Sequence, residues 1–94
     1  MPRIAVAGLS VRALAASARA GGFDVVGLDL FGDRDTRAAC VEWHRIGSGL
    51  HIDPVLFAAT LAGLAADGRT IGWIPGGGFE GDPSLLDAGG DALP

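Results

Sequence analysis

Three short polar stretches hold the side chains that could do chemistry: Gly8-Leu9-Ser10, Asp29 to Asp35, and Gly76 to Glu80. Ser10 offers a hydroxyl and, at the start of a helix, neighbouring N–H groups that suit an anion. Asp29, clustered with Asp33 and Asp35, has the placement of an acidic group that grips a hydroxyl or an amine. Successive glycines at 76, 77 and 78 permit close backbone approach. Each feature also has a plainer role: Ser10 as a helix cap, Asp29 as a turn residue, the glycines as a flexible loop after Pro75, and Glu80 as a solvated charge. The dinucleotide fingerprint is incomplete, because Leu9, Ser10, Val11 and Arg12 follow Gly8 with no further glycine in the turn. His44 and His51 lack the spacing of a zinc site and read as surface or edge residues. Cys40 carries no signature of a nucleophile, and no Ser-His-Asp or paired-carboxylate arrangement is legible.

The polar stretches follow apolar runs that read as strands. Ile4 to Ala7 is uninterrupted by polar residues, as expected of a strand buried on both faces of a parallel sheet. Ser10 stands where an N-cap belongs, with Val11, Leu14, Ala15 and Ala18 at helical spacing after it and Arg12 and Arg19 on the opposite face. Gly21-Gly22 stops that helix, and Asp24 to Leu30 forms a second strand. FGDRDTRAAC reads as a loop with a short helical turn. Val41 to Ile46 suits a third strand at a sheet edge, exposing Glu42, His44 and Arg45. Gly47 to Ile52 is a connector. Asp53-Pro54 then gives an N-cap followed by proline at the first helical position, and a helix runs to about Ala66 with Phe57, Leu61, Leu64 and Ala65 on one face before Asp67-Gly68 ends it. Thr70 to Ile74 is another short strand. The last stretch, from Pro75 onward, carries one helical turn near Ser84 to Ala88. The expectation is a three-layer, Rossmann-like α/β domain spanning residues 1–94, with a mainly parallel sheet of about four strands ordered third, second, first, fourth. In such a sheet the loops at the carboxyl ends of the strands converge, so Ser10, Asp29 and Glu80 are expected around one shallow cleft.

Composition narrows the function classes. The chain has 94 residues, 49% of them hydrophobic and 19% charged, which suits one small folded domain. Its basic residues are all arginines spread along the sequence, and the net charge is −4. Nucleic acid and anionic membranes are therefore not expected partners. The apolar runs are too short to span a bilayer, and the first residues enter a strand directly, so a cytoplasmic protein is expected. With no lysine and no Walker-type loop, the residues here do not form an ATP clamp.

The run VAGLSVRALAASARAGGFDVVGLDLFGDRDTR, together with IPGGGFEGDPSLLD, resembles the N-terminal segment of a group of ATP-grasp proteins. These are carboxylate-amine or carbon-nitrogen ligases loosely related to biotin carboxylase, some of them linked to one-carbon, methanopterin-dependent metabolism. The motifs that carry the resemblance are Gly8, Ser10 and Arg12; Asp29, Phe31, Asp33 and Asp35; and Gly77, Gly78, Phe79 and Glu80. The family pattern has a small polar residue where Gly77 stands. The resemblance implies a preATP-grasp domain that helps form an acceptor-substrate pocket, with Gly8, Ser10, Arg12, Asp29, Phe31, Asp33, Gly77, Gly78, Phe79 and Glu80 as substrate-binding residues and none of them catalytic. It further implies that ATP and Mg2+ are handled by later domains, that this chain is the N-terminal piece of a longer polypeptide, and that its partners are a small-molecule acceptor and the rest of that polypeptide, with room for a homodimer. The alternative is a free-standing Rossmann-like nucleotide-binding or protein-interaction module.

Overall fold

The computed structural model describes residues 2–79 and 83–93. In chain order the elements are β1 (Arg3–Ala7), α1 (Arg12–Ala20), β2 (Asp24–Asp29), α2 (Arg34–Ala39), β3 (Glu42–Arg45), β4 (Gly47–Ser48), β5 (His51–Ile52), α3 (Pro54–Asp67), β6 (Thr70–Pro75) and α4 (Pro83–Ala92). Four strands form one parallel sheet in the order β3-β2-β1-β6. This is the expected strand order, which right-handed crossovers on both sides of β1 produce. Val6 and Ala5 in β1 are fully buried, as are Val26 and Leu28 in β2, because helices cover both faces.

The two faces are packed differently. On one, Ala5, Ala7, Val26 and Leu28 lie beneath Phe57, Leu61 and Leu64 of α3 and Leu85 of α4. Phe57, Trp73 and Phe79 form a cluster there, with ring centroids 5.1 to 5.4 Å apart. On the other face a smaller core joins Val6 and Val25 to Val11 and Ala15, with Leu14, Ala18, Ala39 and Cys40 around it.

Several local expectations change. Ser10 does not cap α1: the N-cap is Val11, and no side chain bonds to the first turn from that position. Ser10 lies one residue too early and remains exposed. The short turn in FGDRDTRAAC is a six-residue helix capped by Asp33, whose carboxylate accepts the Thr36 N–H at 2.9 Å. The connector at residues 47–52 forms a small antiparallel hairpin, β4 with β5. The helical turn near Ser84 extends to ten residues. Two glycines within it weaken the helical pattern, yet Gly89 is needed where it is, since a Cβ there would lie 2.1 Å from the Trp73 ring. The signals around α3 hold: Asp53 accepts the N–H groups of Val55 and Leu56, and Gly68 ends the helix in the left-handed conformation.

Candidate functional site

The loops after β1, β2 and β6 meet at the carboxyl edge of the sheet. Gly8 N donates to Leu28 O at 3.0 Å, Leu30 N to Leu9 O at 3.3 Å, Leu9 N to Gly77 O at 2.9 Å, and Gly76 N to Ala7 O at 2.6 Å. The close approach that glycine permits is used between the loops themselves. A Cβ on Gly8 would stand 3.0 Å from the Gly77 carbonyl oxygen, and Gly78, at φ +106°, lies against the Leu9 side chain.

Asp29 holds this arrangement from inside. It is fully buried. Its Oδ2 accepts the Val11 N–H at 3.1 Å, and its Oδ1 accepts the Gly32 N–H and the Trp43 indole Nε1–H, each at 2.9 Å. A buried carboxylate is tolerable only when hydrogen bonds of this kind replace its water. The same three bonds tie the entrance of α1, the turn after β2 and strand β3 to one group. Asp29 therefore shapes the rim and does not face a cleft. Burial pushes the thiol of nearby Cys40 up from its ordinary pKa, and the Asp29 carboxylate adds to the effect, which disfavours the thiolate.

The other expected site residues divide into rim and interior. Ser10 and Phe31 are exposed, Phe31 at 50%, and their backbones are neighbours through the Leu30–Leu9 bond. Arg12 is exposed, with its guanidinium 3.9 Å from the Asp35 carboxylate. Asp33 is taken up by its cap, and the Thr36 N–H holds its carboxyl below the ordinary value of 3.8. Phe79 is buried in the aromatic cluster and reaches no rim. Glu80 lies outside the described residues. Of the ten expected substrate-binding positions, then, Ser10, Arg12, Phe31 and Gly77 present surface at one edge, while Asp29 and Phe79 support it from within.

Next to this rim is a concavity of about 280 Å³ lined by Leu9, Leu50, His51, Ile52, Pro54, Gly78 and Leu85. Sequence reasoning missed its hairpin wall, because residues 47–52 carry only turn signals. A more polar concavity of about 390 Å³ opens between β3 and α3, where His44 and Glu42 are 2.5 Å apart and Asp67 pairs with Arg69 at 2.8 Å. Among the described residues, no group of three His, Cys, Asp or Glu side chains could hold a metal ion, and no helix is long and apolar enough to cross a membrane. No protein-family model, curated protein or solved structure matches the chain.

Proposed function

We propose that this domain is the substrate-side module of an ATP-grasp carboxylate-amine ligase, binding one small reactant at the carboxyl edge of its sheet without performing phosphoryl transfer. The observation that carries this reading is the meeting of three strand-end loops around the buried Asp29. Such an edge is where open parallel sheets take ligands. At the rim the Ser10 hydroxyl can donate to or accept from the reactant, the Arg12 guanidinium can face its carboxylate, and the Phe31 ring supplies an apolar wall. In the ligase reaction ATP transfers its terminal phosphoryl group to a carboxylate, and the amine then attacks the acyl phosphate and releases phosphate. ATP and Mg2+ would be held by other parts of the enzyme, since phosphoryl transfer needs cations and metal-holding carboxylates closed around the triphosphate. The cytoplasm is the compartment that fits this chemistry.

Titration calorimetry of the 94-residue chain with Mg-ATP tests the division of labour. No binding in the low micromolar range is expected, because one helix N-terminus contributes only on the order of 1 kcal/mol at an exposed site. Tight binding or ATP hydrolysis would overturn it in favour of a free-standing nucleotide-binding module. In the complete ligase, Arg12→Ala is expected to raise KM for the acceptor and leave KM for ATP unchanged.

A further inference from the structure

We propose that the edge formed by α2 and β3 is a docking surface for an acidic protein segment in extended conformation, held by Arg37 and Arg45 where they stack on Trp43. Three of the seven arginines already have carboxylate partners, and Arg19 reaches only a backbone carbonyl. Arg3 meets Glu42 at 3.5 Å, Arg12 meets Asp35 at 3.9 Å, Arg69 meets Asp67 at 2.8 Å, and Arg19 donates to the Ala38 carbonyl at 3.1 Å. Of the four without a carboxylate partner among the described residues, Arg19 lies on α1, and Arg34, Arg37 and Arg45 lie together on α2 and β3. In a chain of net charge −4, three exposed guanidinium groups are thereby gathered along one edge.

Two of these cations are already in place for a ligand. The guanidinium carbons of Arg37 and Arg45 lie 5.3 and 5.4 Å from the centroid of the Trp43 ring. The indole is fixed in turn by its bond to the buried Asp29, and Arg45 Nη1 donates to Leu30 O at 2.6 Å. Side chains held in this way lose little further freedom on binding. The nearby acids have partners of their own: Asp29 is spent on three N–H groups, Asp33 caps α2, Asp35 turns towards Arg12, and Glu42 of β3 meets Arg3 and His44.

The choice of an extended segment follows from β3. It is the terminal strand of the sheet, paired only with β2, so its outward N–H and C=O groups can receive another strand. Trp43 and Arg45, two residues apart, share the face that carries α2. A docked strand also has a two-residue period, which puts carboxylates at alternate positions, roughly 6.5–7 Å apart, on that same face. The concavities described above are lined by other residues, and an open cationic edge with free backbone groups fits a chain better than a small anion.

The test uses the full chain and three peptides: one alternating Glu and Val, one with the same residues in two blocks, and one alternating Lys and Val. The alternating acidic peptide should bind, shift the Trp43 indole N–H and the β3 amides in nitrogen–proton spectra, and weaken as salt is added. R37A/R45A should weaken binding by roughly tenfold, whereas R69A should leave it unchanged. R37E/R45E, shown to be folded by its dispersed spectrum, should reverse the preference towards the Lys-Val peptide. The proposal is overturned by equal binding to the wild type and R37A/R45A, by shifts confined to another edge, by no preference for the alternating over the block peptide, or by tighter binding of an oligonucleotide than of the acidic peptide.

Discussion

The two faces of the sheet solve the same problem with different materials. The α3 and α4 side is held by apolar bulk: three interlocked aromatic rings and a row of leucines fill it. The α1 and α2 side has only small side chains in its core, and its loops are joined through the carboxylate of Asp29. Bulk packing tolerates modest reshaping, because contacts are many and individually weak. A polar hub has few contacts, and each depends on the others being satisfied. The faces should therefore fail differently.

Phe57→Ala should be the most damaging change, since it removes a fully buried ring that touches both Trp73 and Phe79. Chemical denaturation should show a loss of about 3–5 kcal/mol, a large share of the stability of so small a domain. On the other face, Asp29→Ala strands three N–H donors and should cost about 3 kcal/mol. Asp29→Asn retains one acceptor oxygen and should recover part of that loss; equal midpoints for the two variants would show that the carboxylate is not the joint described here. Asp53→Ala removes the cap of α3 and should cost about 1 kcal/mol.

Acid brings out the smallest differences. Asp33 has a lowered folded-state pKa, so its cap stabilises α2 fully above pH 3.8 and is lost as pH falls below that through the lower folded value. Asp33→Asn should flatten this part of the stability curve while leaving the neutral-pH midpoint little changed. Ser10→Ala should change stability by about zero, because the hydroxyl caps nothing; a measurable loss would restore Ser10 to the helix entrance.

The sequence was most readable where structure is set by local signals. Asp53-Pro54 and Gly68 mark both ends of α3, and the apolar runs mark β1, β2 and β6, because caps, proline and periodicity act within a few residues. The strand order followed from handedness. Long-range packing was less visible. Nothing near Asp29 in the sequence announces that an indole fourteen positions away will donate to it. Phe79, set between glycines and acids, reads as part of a polar loop until Phe57 and Trp73 are seen beside it. The expected turn near Ser84 to Ala88 stopped short of Gly89, whose lack of a side chain makes room for Trp73.

The two tryptophans fall one to each side: Trp73 sits in the aromatic cluster, and Trp43 beside Asp29. The protein thus carries its own pair of reporters. Labelled with fluorotryptophan, it should give two fluorine lines, each sensing one layer. If the sheet binds both layers into a single cooperative unit, the two lines will fade together through a denaturant series; if the polar side opens first, the Trp43 line will lead.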